Sequence, residues 1–163
     1  ASVMAMTPVH LSHLDPRNVT TIVGVTIALH VFGMYGLSPV FGVIADRWGR
    51  LQTILLGQAI LAASLVTAAI APNSPTAVLI ALLLLGLGWS AATVGGAALL
   101  TEATPTELRP RRQGRSDTAM TLSAAIGSVL AGGILGLIGY GGLALVALAV
   151  VIAITVLSPY ARR

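Results

Sequence analysis

Residues 51–101 read LQTILLGQAILAASLVTAAIAPNSPTAVLIALLLLGLGWSAATVGGAALLT, a stretch without one Asp, Glu, Lys or Arg. A helix crossing a hydrocarbon core of ~30 Å needs roughly 20 apolar residues at ~1.5 Å each. This stretch is long enough for two crossings. Its middle, Ala71-Pro72-Asn73-Ser74-Pro75, joins two prolines to Asn and Ser, a combination that stops one helix and starts another. The reading is a helical hairpin in a bilayer, with spans near 51–71 and 77–101.

The same logic extends in both directions. Arg17 to Asp46 encloses one charge-free stretch and Asp117 to Arg162 another. The first holds one span near 20–43. Gly24, Gly33, Gly36 and Pro39 lie inside it, so it is expected to bend or pack closely near its C-terminal end. The other holds two spans, near 118–138 and 142–158, separated by Gly139-Tyr140-Gly141-Gly142. Composition agrees: 9% of residues are charged and the mean hydropathy is +0.93, against about a quarter charged in soluble domains. The expected fold is an all-α membrane protein, with residues 1–163 forming one transmembrane helical domain. It has five complete spans and a partial N-terminal one at Val3-Met4-Ala5-Met6. The opening on that apolar run without an initiator Met predicts a fragment or processed product, and the run lacks the basic leader of a cleavable signal peptide.

The nine basic residues are all Arg. With alternating connectors, Arg47, Arg50, Arg109, Arg111, Arg112, Arg115, Arg162 and Arg163 fall on one side, and only Arg17 on the other. The positive-inside rule makes the first side cytoplasmic, including 42–51, 102–117 and the C-terminus. Clusters placed between spans fit membrane topology better than a phosphate-binding face, so nucleic acid is not an expected partner. The chain has no Cys, which removes disulfides and thiolate metal sites.

Small residues recur at four-residue spacing: Gly88, Ala92 and Gly96; Ser123, Gly127 and Ala131; Ser128, Gly132 and Gly136. In lipid, such stripes let helix backbones approach. They are read as bundle contacts or as a sliding surface between moving parts.

Gly42-Val43-Ile44-Ala45-Asp46-Arg47-Trp48-Gly49-Arg50 is the most specific motif. A charged turn obeying the positive-inside rule accounts for its arginines but not for five residues at fixed spacing. The glycines permit a tight turn and close helix approach. Asp46 suits backbone N–H groups or a helix N-terminus, and the arginines suit carboxylates or helix C-termini. The stretch resembles the signature of the major facilitator superfamily, written G-x-L-a-D-r-x-G-r-r, with departures at Ile44 and Leu51. The resemblance implies a twelve-helix secondary transporter in which this loop is a conformational latch between two halves. Gly42, Asp46, Arg47, Gly49 and Arg50 would be latch residues, not substrate ligands.

Glu102, Pro105, Arg109, Gln113-Gly114 and Asp117 resemble a second family pattern, found after span four or ten. A capped, solvated loop is the other reading. Ser116 or Asp117 would cap the following helix, and Arg109 would pair with Glu102, Glu107 or Asp46. Drug-exporting members carry an intramembrane Arg in span four, and antiporters carry G-P-x-x-G-G in span five. Neither occurs here. The resemblance therefore implies spans eight to twelve, the C-terminal half, with Val3 to Pro8 as the end of span seven.

His30 is the ionisable residue set well inside a span, and such groups are functional candidates for proton transfer or substrate binding. A neutral imidazole bonded to a neighbouring helix is the other reading. Gln58, Trp89, Ser90 and Thr93 are further candidates at depth, between bundle hydrogen bonding and a midplane substrate site. His10 and His13 lie three residues apart with Asp15 nearby, too sparse a set for a metal. No paired carboxylates or Ser–base pair occur within a span, which argues against an enzyme, and no cofactor is implied.

The expected function is the membrane-embedded half of a secondary active transporter of small solutes, working by alternating access. Few charges face the interior, which favours an apolar, weakly polar or zwitterionic substrate. Its partners would be the lipid bilayer, a small-molecule substrate, and the missing N-terminal half or a second copy. Its place would be a bacterial inner (plasma) membrane. The alternative is a truncated, non-transporting membrane subunit or remnant.

Overall fold

The computed structural model describes residues 1–14 and 18–157; Asp15, Arg17, Arg162 and Arg163 lie outside them. Among the described residues every element is helical. These are α1 (Ser2–Leu14), α2 (Val19–Tyr35), α3 (Ser38–Trp48), α4 (Arg50–Ile70), α5 (Pro75–Glu102), a 3-10 turn at Thr106–Leu108 and α6 (Arg109–Leu157). Among the described residues, four segments are long and apolar enough to cross a membrane: Val19–Trp48, Arg50–Ile70, Pro75–Glu102 and Thr106–Val156.

α2 and α3 form the first of these segments. α2 ends at Tyr35 because Pro39, lacking an N–H, starts a new helix within two residues of Leu37. The Ser38 hydroxyl bonds back to the Tyr35 carbonyl across the break. The turn between α4 and α5 follows the proline logic. Ser74 caps α5 by accepting from the Ala77 N–H, and Pro75 occupies the first helical position, where no donor is needed.

Two connectors differ from their sequence reading. Residues 42–48 are helical, and the whole turn into α4 is Gly49, at φ 106° and ψ 154°. Likewise, the helix expected near 118–138 begins at Arg109. Neither Ser116 nor Asp117 is a cap; Asp117 sits inside α6 and accepts from Gln113 Nε2 at 2.9 Å. The reason is that Pro110 is tolerated in a first turn, and the Arg- and Gln-rich run after it forms helix readily.

α6 breaks at Gly139, whose φ of 72° and ψ of −179° suit glycine alone. Gly127 and Val151 are each twelve residues from this point, one on either side. Both flank the first turn of α1: Ser2 Oγ donates to the Gly127 carbonyl, and Val151 shares a cavity wall with Ala1 and Met4. A straight helix would part them by about 36 Å. The two arms of α6, 109–138 and 140–157, therefore run antiparallel.

α5 is the central helix, packed on α4, α2 and α3. Close approach comes from glycine. A Cβ on Gly57 would lie 2.6 Å from the Ala92 nitrogen, and one on Gly88 would lie 2.9 Å from the Gly57 carbonyl. The expected Gly88–Ala92–Gly96 stripe is thus used through Gly88 and Ala92. Gly95, not Gly96, continues it, because Gly95 abuts Arg50 and Ile54 while Gly96 faces open space. Gly127 and Ala131 serve the α1 contact, whereas Gly132 and Gly136 meet nothing within 4 Å. Many large apolar side chains lie on the outside, among them Phe32, Val129 and Leu137. A bilayer solvates such a surface; water does not.

Candidate functional site

The arginine-rich end holds a compact charge cluster. Gly49 ends α3 by donating to the Ala45 carbonyl at 3.1 Å, and its unusual dihedrals place Arg50 at the first position of α4. Arg50 Nη2 lies 2.9 Å from Asp46 Oδ1 and 2.7 Å from Glu102 Oε1. Its Nη1 donates to the Ala45 carbonyl at 2.6 Å. One guanidinium thereby ties the end of α3 to the end of α5. Gly95 lets the Arg50 backbone approach, since a Cβ there would sit 3.0 Å from the Arg50 carbonyl. A cation at a helix N-terminus is electrostatically unfavourable, and two carboxylates offset it. The Arg50 side chain is 25% exposed, against 72% for Asp46 and 54% for Glu102, so the cluster is open to solvent on its acidic side.

The other motif residues are placed differently. Arg47 is exposed on the last turn of α3, where a cation complements the helix C-terminus. Gly42 has nothing within 4 Å of a Cβ position, so it makes neither a turn nor a close contact. Arg109 pairs with no carboxylate among the described residues; its Nε donates to the Thr104 carbonyl at 3.2 Å. Sequence spacing suggested Glu102 as a partner for Arg109, but Arg50 is the arginine beside it. The pairing spans α4 and α5, so no local spacing carried it.

The interior site lies where α2 crosses α5. A Cβ on Gly86 would be 2.3 Å from the His30 carbonyl, and one on Gly33 would be 2.9 Å from the Leu83 carbonyl. At this contact His30 is buried, and its Nδ1–H donates to the Leu82 carbonyl at 2.8 Å. That bond fixes the Nδ1 tautomer for the neutral ring. His30 and Trp89 line one cavity of about 410 Å³, with Met4, Met34, Leu61 and Leu85 as its apolar walls. Tyr35 meets Trp89 edge to face, ring centroids 5.9 Å apart.

Gln58, Ser90 and Thr93 do not line this cavity. Ser90 is buried, and its hydroxyl has no partner among the described residues. The sequence reading missed Tyr35 and Met34. Their spacing from His30 along α2, five and four residues, is the signal that was present.

The opposite end has its own contacts. His10 Nε2–H donates to the Pro72 carbonyl at 2.6 Å, and the ring stacks on Tyr140 at 4.2 Å. Thr7 Oγ1 donates to the Val3 carbonyl at 2.8 Å, so the Tyr140 hydroxyl is the donor in its 2.9 Å bond to Thr7. His13 Nδ1 bonds the Val9 carbonyl within its own helix, away from His10's partner.

Comparison with known proteins finds curated relatives. The chain is 39% identical over 132 residues to the uncharacterized MFS-type transporter YddS of Bacillus subtilis (strain 168), covering 80% of this chain and 30% of that protein. It is 38% identical over 146 residues to the uncharacterized MFS-type transporter YdeG of the same organism, covering 89% of this chain and 34% of that protein. The chain thus spans about a third of the length of the curated relatives it matches. No solved structure matches it. The family model for the Major Facilitator Superfamily matches residues 3–163, across both the charge cluster and the interior cavity. An apolar helical bundle carrying the Gly42–Arg50 motif, related to two transporters of this kind over most of its length, belongs to the major facilitator superfamily.

Proposed function

We propose that the chain is the C-terminal half of a secondary active transporter of small solutes, in which Asp46, Arg50 and Glu102 form a cytoplasmic latch. The reading takes five spans from the four long apolar segments, the last counted twice because α6 folds back at Gly139. α1 is the end of a sixth. The arginine-rich connectors lie in the cytoplasm of a bacterial inner membrane.

The observation that carries the latch is the Arg50 guanidinium held by carboxylates from two helices. An exposed, charged clasp is weak in each bond and so able to release, as a conformational cycle requires. Arg47 and Gly42 contribute less directly, Arg47 by facing solvent where a second half would meet it. Substrate binds at the His30–Trp89 cavity, whose apolar walls and single imidazole favour a weakly polar solute. The Ser128 and Gly132 side of α6 receives the other half of the transporter.

The test is uptake or efflux of a solute panel in vesicles carrying the full reading frame, with and without a pH gradient. Transport that Arg50→Gln slows at least about tenfold, with insertion unchanged, supports the latch. Normal turnover in that variant overturns it. Absence of any transport by the intact frame favours the alternative, a non-transporting membrane subunit.

A further inference from the structure

We infer that the outward face of the first α6 arm binds an anionic phospholipid, with its phosphate among Arg111, Arg112 and Arg115 and an acyl chain along Leu122, Ile126 and Val129. The inward side of this arm is marked by Gly127 and Ala131 against α1. At ~3.6 residues per turn, Arg111, Arg115, Leu122, Ile126 and Val129 share the side facing away from it. Leu122 is 60% exposed and Val129 81%. The face is basic at one end and apolar below.

Length puts the basic end at the membrane surface. Residues 109–138 span about 45 Å, roughly 15 Å more than a hydrocarbon core. The excess is about three turns, which covers residues 109–118 when Ile138 sits at the far boundary. A groove of about 590 Å³ runs from Arg111 and Arg115 over Gly114 and Ala119 to Leu122. The two small residues leave the recess, and a polar head can enter it while its tail follows Leu122 downward.

The arginines lack an internal explanation. Among the described residues, Arg111, Arg112 and Arg115 have no ion pair. The carboxylate of Asp117 accepts from Gln113 on the other side of the helix, and Glu102 is held by Arg50. The first turn of α6 carries no acidic residue, so cations crowd a helix N-terminus that favours anions. A phosphate relieves both. Protein is the less suitable occupant of this face. Helices in lipid meet through small residues, whereas this face carries Arg111, Arg115, Leu122, Ile126 and Val129, with Gly133 and Gly136 only below them; Ser128 and Gly132 lie on the adjacent face. The inference rests on the membrane-spanning reading and is independent of transport.

The purified chain, titrated with phosphatidylglycerol or phosphatidylcholine of equal chain length and read by native mass spectrometry, tests it. We expect phosphatidylglycerol to bind at least about tenfold more tightly, with the preference falling as salt rises. Arg111→Gln/Arg112→Gln/Arg115→Gln removes the preference, the corresponding triple Lys variant keeps most of it, and excess inorganic phosphate does not displace the lipid. Equal binding of the two lipids, a salt-independent preference, or displacement by inorganic phosphate overturns the proposal. The chain has no Cys, so a nitroxide placed at Val129→Cys reads the apolar end directly. High accessibility to oxygen in vesicles is expected; exclusion of both oxygen and water-soluble reagents places protein there and also overturns it.

Discussion

Arg50 and Glu102, fifty-two positions apart in sequence, are joined at 2.7 Å across the ends of α4 and α5. The same guanidinium nitrogen reaches Asp46 at 2.9 Å, so two carboxylates share one NH2 group and one positive charge. Loss of one leaves the other in place.

That sharing gives a thermodynamic expectation. In a double-mutant cycle on Arg50→Gln and Glu102→Gln, thermal unfolding in detergent should give a coupling of about 0.2–1 kcal/mol, as for partly exposed pairs. The coupling should rise when Asp46→Asn removes the other carboxylate. A coupling near zero in both backgrounds would show that the pair holds nothing.

Gly49 and Gly42 belong to one motif but should behave differently. Gly49→Ala forces a side chain to φ 106° and should destabilise by about 1–3 kcal/mol. Gly42→Ala enters open space on a regular helix and should fall within about 0.5 kcal/mol of the parent. Melting temperatures of the two variants in one detergent check the contrast.

A similar contrast holds on α5. Gly86→Ala sets a methyl 2.3 Å from the His30 carbonyl, so α2 must move or the bundle fails to assemble. Gly96→Ala meets nothing and should express and elute as the parent does. Size-exclusion profiles after detergent extraction separate the outcomes.

His30 combines a structural bond and a cavity position. His30→Ala loses the donor to Leu82 and should cost on the order of 0.6 kcal/mol, up to ~1.7 kcal/mol. His30→Asn, which retains an N–H donor, should recover part of that. If the histidine also carries a proton in transport, both variants flatten the pH dependence of uptake by the full reading frame. An unchanged pH profile in both removes the proton role and leaves the bond.

Much of the architecture was legible because charge and proline are strong signals in a bilayer. The uncharged stretch from Leu51 to Thr101 and its Pro72–Pro75 break gave the α4–α5 hairpin directly. The Asp46–Arg50 motif was visible as a motif, but its partner was not. Glu102 meets Arg50 through the crossing of two helices, which depends on Gly95, Gly57 and Gly88 together. His30 and Trp89 could be picked out as polar or aromatic groups at depth. Their meeting in one cavity, without Gln58, Ser90 or Thr93, depends on helix rotation, and α2 and α5 have too little amphipathic pattern to fix it. The start of α6 at Arg109 was hidden for another reason: a charged sequence that looks like a loop by hydropathy is a good helix former by propensity.

Gly139 bears on how the protein is made as well as how it packs. The tip of the α6 hairpin, Ile138 to Gly142, contains no charge. It is also where a rod of about 74 Å becomes two lengths of about 45 and 27 Å, the longer one with its excess at the arginine-rich end. The two arms can therefore enter the membrane together, tip first, with the arginines of the first turns retained as the trailing end. Replacing Gly139 by a branched residue would strain that fold-back. One glycine dihedral thus decides whether the second arm returns beside the first or runs on from it.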